Sequence, residues 1–155
     1  MNLYVVRHAH AGNRSAWDGP DGERPLSRRG RKEAADIAEH LAPAGVERLV
    51  SSPAVRCVQT LEPLADRLGL PVDGDDRLLE GAGGDEALAL ALELSKERPA
   101  AAICSHGDVI QEMLGTLRAA GTRFMDPFVW PKGSTWVLTR DGDSWAEARY
   151  LPPLG

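Results

Sequence analysis

The sequence is poor in cysteine, in long apolar runs and in positive charge, and each shortage excludes something. Only Cys57 and Cys104 occur among 155 residues, with no CxxC spacing. A disulfide framework is therefore not expected, and a reducing, cytoplasmic setting is. No apolar run approaches the roughly 18–20 residues that a membrane helix needs. The opening run from Met1 to Val6 meets Arg7 at once, too soon for the apolar core of a secretory signal. Lys and Arg total 18 against 23 Asp and Glu, a net charge of −5. A nucleic-acid polymer, which calls for a basic footprint, is not the expected partner. Repeats, low-complexity tracts and linker-like stretches are also missing. What is left, 43% hydrophobic and 26% charged, is the composition of a soluble globular protein. Residues 1–155 are expected to form a single domain, long enough to bury a core without disulfides or a structural metal. Oligomeric state is not legible.

Strand-like and helix-like patterns alternate along the chain. Leu3-Tyr4-Val5-Val6 reads as a buried strand. A polar stretch from Ala9 to Pro25 follows, and a loop that long inside a compact domain is usually functional or mobile. Ser27 caps a helix with Ala34, Ile37, Ala38 and Leu41 on one face. A second strand, residues 46–51, centres on Leu49-Val50. Ser52-Pro53 supplies an N-cap and first position for a helix carrying Val58, Leu61, Leu64, Ala65 and Leu68; Pro63 inside it should kink or divide it. Another helix spans about residues 85–96. Residues 100–105 are the third clear strand, and His106-Gly107 opens a helix with Ile110, Met113, Leu114 and Leu117 inward, stopped near Gly121. Residues 134–140 and 144–150 flank Asp141-Gly142-Asp143, a hairpin signal expected to add antiparallel edge strands. The fold class is α/β, a three-layer sandwich with a mainly parallel central sheet flanked by helices. Ligands of such sheets bind beyond the carboxyl ends of the strands.

Those ends carry the charge. Arg7-His8 follows the first strand, Ser51-Ser52-Pro53 leads from the second to Arg56, and Ser105-His106-Gly107 follows the third. Parallel strands would bring Arg7, His8, Arg56 and His106 into one pocket, with two helix N-termini aimed at it. Such a pocket suits a phosphate dianion, because a guanidinium fork can bind two of its oxygens at once.

With these motifs in this order, the sequence resembles the histidine phosphatase superfamily, the phosphoglycerate-mutase-like proteins. The resemblance rests on Arg7-His8, on the block from Ser51 to Thr60 and on Ser105-His106-Gly107, and it covers nearly the whole chain. Pro25-Leu26-Ser27-Arg28-Arg29-Gly30 is similar to the family's helix-opening segment. The small size and Arg24-Pro25-Leu26 look most like the SixA branch of phosphohistidine phosphatases. The tail from Lys132 to Leu138 is similar to SixA-like domains fused behind Nudix hydrolase domains. The resemblance implies a phosphoglycerate-mutase-like fold and a phosphohistidine intermediate on His8. Arg7, Arg56, His106 and Gly107 would hold the phosphoryl group, and Glu80 stands where the family often places its acid. No metal and no cofactor is implied, since the cations neutralise the equatorial oxygens. Neighbouring cations also favour the neutral imidazole that attack requires.

The departures are informative. Arg7-His8-Ala9 stands for the usual Arg-His-Gly, and His10-Ala11-Gly12 replaces the mutase continuation. Where mutases carry an Asn, this chain has Arg14, with Asn13 one position early. Mutase activity is therefore not expected. Asn13, Arg14 and Arg24 are candidates to grip another part of the substrate. Little sequence is left to build a substrate lid, so an open site is expected. His10 alternates with His8 and would offer a metal pair, but further ligands at matching spacing are lacking. His40 and the basic run from Arg28 to Lys32 read as solvated helix positions, Cys57 and Cys104 as core packing, and Trp17 as an aromatic of the functional loop. The leading function is a metal-independent, SixA-like protein phosphohistidine phosphatase. The alternatives are a small-molecule phosphomonoesterase acting on a nucleotide or sugar phosphate, and a catalytically silent phosphate-recognition module.

Overall fold

The computed structural model describes residues 1–153. Its strands are β1 (Asn2–Arg7), β2 (Leu49–Ser51), β3 (Val72–Gly74), β4 (Ala100–Ser105), β5 (Arg123–Phe124), β6 (Thr135–Asp141) and β7 (Ser144–Leu151). Its helices are α1 (Arg28–Leu41), α2 (Val55–Leu68), α3 (Gly84–Glu97) and α4 (Gly107–Ala119). All seven strands share one sheet in the order β3-β2-β4-β1-β6-β7-β5. The first four in that order are mutually parallel; β6 and β7 are antiparallel, and β5 pairs parallel with β7.

Side-chain alternation along β1 and β4 makes the layers. Leu3, Val5, Ala101 and Ile103 face a core shared with Leu90, Leu94, Ile110, Met113 and Leu114 of α3 and α4. Val6, Ala102 and Cys104 face the opposite core with Ile37, Leu41, Cys57, Leu61 and Leu64 of α1 and α2. Every residue of β4 is buried, as expected for a central parallel strand covered on both faces. The α/β sandwich inferred from the alternating pattern is the observed one. Among the described residues, no helix is long and apolar enough to cross a membrane.

Four local expectations are corrected. The closing hairpin does not supply the sheet's edge: β6 lies inside, against β1, and the two-residue β5 forms the border beyond β7. β3 and β5 were not expected at all, because two or three residues carry no period. Ser52 does not cap α2, whose N-cap is Ala54. The chain makes one further bend after β2, which leaves the Ser52 hydroxyl for another partner. α2 also runs undivided through Pro63, and the cost of the missing N–H is offset by the burial of Leu61, Leu64 and Ala65 on either side of it.

The start of α1 is locked onto the exit of β1. Ser27 caps α1 by accepting from the Gly30 N–H at 3.0 Å. The His10 carbonyl accepts from both the backbone N–H and the hydroxyl of Ser27, each at 3.0 Å. A Cβ on Gly30 would lie 1.9 Å from that carbonyl oxygen. Gly30→Ala should therefore destabilise the protein by about 3 kcal/mol. Thermal melting should show a Tm fall of roughly 10 °C, and an unchanged Tm would contradict the packing described.

Candidate active site

Sheet register builds the site. Arg7 at the end of β1 is level with Ser105 at the end of β4, and Ser51 at the end of β2 is level with Cys104. Two backbone bonds carry the register one residue further, from the His8 N–H to Ser105 O at 3.1 Å and from the Ser52 N–H to Cys104 O at 2.9 Å. His8, Ser52 and His106 thus leave the sheet side by side. The His8 and His106 rings meet edge to face, centroids 5.4 Å apart.

His8 is buried, and its Nδ1 lies 2.9 Å from the Ala9 carbonyl oxygen. A carbonyl only accepts, so Nδ1 carries the proton and the lone pair is on Nε2. Burial lowers the His8 pKa to about 3, with His106, Arg56 and Arg7 adding to the fall and the Ala9 hydrogen bond opposing it. The ring is thus a neutral imidazole, and among the described residues its Nε2 has no hydrogen-bond partner. His106 receives an Arg56 N–H on Nδ1 at 3.4 Å, and its Nε2 faces Ser52 Oγ at 2.9 Å. His106 is thus the partner that the Ser52 hydroxyl finds in place of the helix cap.

Arg56 comes from the first turn of α2, with its side chain 2% exposed. Its guanidinium donates to the Asp21 carbonyl at 2.9 Å and the Asp21 carboxylate at 3.1 Å, and stands 3.6 Å from Glu80. Arg7 donates to the Trp130 carbonyl at 2.8 Å. The Nε atoms of both arginines are buried without any hydrogen-bond partner. Unpaired buried donors of this kind are costly and favour binding of a hydrogen-bond acceptor. Two such donors beside a neutral imidazole can hold a tetrahedral oxyanion against a nitrogen nucleophile.

The remaining candidates divide. Arg14, Arg24, Glu80, Gly107 and His106 line one cleft with Arg7 and His8. Arg14 bridges Glu80 at 3.1 Å and Asp21 at 3.2 Å, while Arg24 reaches Asp21 at 3.2 Å and the Ala11 carbonyl at 2.8 Å. Asn13 is outside this group, its side-chain oxygen accepting from Ser15 within its own turn. His10 Nδ1 is engaged with Ser27 Oγ at 2.6 Å. Trp17 closes its own loop by donating to the Pro20 carbonyl. Cys57 and Cys104 are both buried.

Sequence reading missed five contributors. Asp21 joins Arg14, Arg24 and Arg56; burial pushes its carboxyl up, but the three arginines outweigh this and hold it below the ordinary value. Ser52 orients His106. Gln59 accepts from the Leu26 N–H at 2.8 Å and Thr60 from the Ala9 N–H at 3.0 Å, so α2 holds both ends of the long loop. Lys132 lines the cleft from the turn before β6. Spacing gave a signal only for Gln59 and Thr60, which share the Arg56 face of α2 at i+3 and i+4.

Gly107 is required by close approach. A Cβ there would lie 2.8 Å from Arg7 Cζ, so Gly107→Ala should displace the guanidinium, weakening orthophosphate binding about tenfold or more in calorimetry while the far-ultraviolet circular dichroism is kept. His8 should remain neutral from pH 8 to pH 5 in a ring-nitrogen NMR titration. Its folded pKa of about 3 is below the ordinary 6.5. The unfolded chain therefore binds this proton first, and stability falls as pH drops from about 6.5 towards 3. A His8 titration midpoint above pH 6 would contradict the burial described.

Comparison with known proteins fits this geometry. The chain is 34% identical over 154 residues to an 8-oxo-(d)GTP phosphatase of Mycolicibacterium smegmatis, covering 97% of this chain and 48% of that relative. It therefore spans about half of the relative's length. Among solved structures, the protein histidine phosphatase SixA complexed with tungstate superposes with a TM-score of 0.77 at 21% identity, over 97% of this chain and 94% of that one. The putative phosphohistidine phosphatase SixA from Agrobacterium tumefaciens gives 0.75 at 24% identity, over 99% and 97%. These likenesses concern the fold. The sequence model of the histidine phosphatase superfamily (branch 1) matches residues 3–99, a stretch that includes Arg7, His8, Arg56 and Glu80, and the chain belongs to that superfamily.

Proposed function

We propose that this chain is a phosphatase working through a phosphohistidine intermediate on His8, with residues 1–155 acting as one domain. The observation that supports the reading most directly is the neutral His8 ring, Nε2 unengaged, beside the two unpartnered Nε–H donors of Arg7 and Arg56. In the first step His8 Nε2 bonds to phosphorus, and the bond from phosphorus to the leaving group breaks with its electron pair on the leaving atom. Arg7, Arg56 and His106 neutralise the equatorial oxygens, where phosphoryl transfer needs positive charge, and they take the place a metal would otherwise fill. In the second step water attacks phospho-His8, the P–N bond breaks, and orthophosphate leaves.

We take the substrate to be a small-molecule phosphomonoester, a nucleotide first. An alkoxide leaving group needs a proton, and Glu80 lines the cleft within reach of Arg14 and Arg56. The 34% identity to an 8-oxo-(d)GTP phosphatase over nearly all of this chain supports the same substrate class, although that relative has an equally long stretch that this chain does not match. The second reading is a protein phosphohistidine. It is favoured by the openness of the cleft, where Arg14 and Glu80 are 60% and 44% exposed.

One experiment tests the function and separates the substrates. A phosphorylated substrate labelled in the phosphoryl group should leave an acid-labile phosphoenzyme on the wild type and none on His8→Ala. Wild type that forms no phosphoenzyme and releases no phosphate from either class would turn the reading to a phosphate-recognition module. Glu80→Gln should lower kcat on an alkyl phosphomonoester about 100-fold and spare phosphohistidine. Equal losses on both would remove Glu80 as the acid.

A further inference from the structure

The charges around the cleft do not all have partners. Asp21 and Glu80 both bridge Arg14 and Arg56, and Asp21 also holds Arg24. Arg7 is tied to the Trp130 carbonyl. Lys132 differs: among the described residues, no hydrogen bond joins its side chain and no carboxylate is within ion-pair distance.

Its position is built rather than accidental. Pro131 to Ser134 form a tight turn, closed by the Ser134 N–H on the Pro131 carbonyl at 3.0 Å, with Gly133 at φ +79°. A positive φ at the third position is what such a turn asks of glycine. The Gly133 N–H donates to both the Arg7 and the His8 carbonyls, each at 3.1 Å. The turn is thereby fastened to the end of β1, and Lys132 is its second residue, half-buried at the cleft. Burial and then Arg7, Arg24, Arg14 and Arg56 lower its pKa, and the cleft's carboxylates, Glu80 and Asp108, stand beyond ion-pair distance of it. An ammonium in this cleft that has, among the described residues, no carboxylate at ion-pair distance is poised for an anion from outside the chain.

The transferred phosphoryl group is provided for without it, because Arg7 and Arg56 carry the two unpartnered donors. Lys132 is a surplus charge in the same cleft. We propose that Lys132 anchors a second anion subsite, and that the substrate is a small molecule bearing a second phosphate a few bonds from the phosphoryl group that His8 takes. A flexible point charge suits that group, which is bound but not transferred. The proposal deepens the phosphatase reading and rests on it for the fate of the first phosphate only; the subsite itself is a binding claim.

Calorimetry with orthophosphate and pyrophosphate tests it. Lys132→Gln should weaken pyrophosphate about tenfold and orthophosphate by less than about threefold, with Lys132→Arg restoring most of the pyrophosphate affinity. Equal losses for the two anions would overturn the proposal by placing Lys132 on the transferred group. No loss for either would overturn it as well. A Gln variant that fails to fold leaves the comparison to Lys132→Met and Lys132→Arg, judged by the same two ratios. Turnover is not needed for this readout. Pyrophosphate binding through Lys132 in a protein that forms no phosphoenzyme would sink the phosphatase reading and leave the subsite standing.

Discussion

The structure depends on holding two guanidinium groups and two imidazoles together at one edge of a sheet, mostly out of water. Burying like charges side by side is unfavourable unless something of opposite sign stays close. Arg56, as buried as the core leucines, is held by the carbonyl and carboxylate of Asp21, with Glu80 nearby. Burial lowers the pKa of Arg7, and Asp108 and Glu80 act against that fall. His8 answers the same pressure differently, by giving up its proton. One electrostatic constraint thus acts on Arg7 and His8 alike, and the residues 9–25 loop answers it by bringing the Asp21 carboxylate back to Arg56.

Helix α2 is the piece that makes this arrangement rigid. Arg56, Gln59 and Thr60 project from one face, and each has a separate task. Arg56 reaches Asp21 and His106 behind the cleft wall, Thr60 fastens Ala9 beside His8, and Gln59 fastens Leu26 where the loop ends. Thr60 also donates to the Arg56 carbonyl at 2.6 Å, so the hydroxyl links the loop to the helix turn that carries the arginine. Two loop ends and one cation therefore share a single support, itself packed by Leu61 and Leu64 against the sheet.

Much of this was legible in the sequence, for reasons that particular residues make clear. Arg7, His8, Arg56 and His106 follow apolar runs whose parallel pairing puts them on one edge, so strand order alone brought them together. Glu80 and Gly107 came from the family resemblance. Asp21, Ser52 and Lys132 were not legible, because their roles come from tertiary geometry. Asp21 acts from a loop with no period, and Lys132 from a turn whose docking onto β1 is visible only when the strands are paired. Ser52 shows how a sound local rule can mislead. Ser-Pro before an apolar helical pattern is a good cap signal, yet the hydroxyl found a better partner in His106 and Ala54 became the cap. The short β3 and β5 were unreadable for a simpler reason, since pairing with a neighbour and not side-chain alternation defines them.

The Asp21 carboxylate has a consequence for how fast an anion can enter. It sits on the cations of the cleft, at 3.1 Å from Arg56 and 3.2 Å from both Arg14 and Arg24, on a protein whose net charge is −5. An arriving phosphate therefore meets no strongly attractive field at long range; its association is governed by orientation and by exchange with a resident carboxylate. Capture by this cleft should accordingly respond weakly to ionic strength, in contrast to an unscreened arginine pocket of the same size.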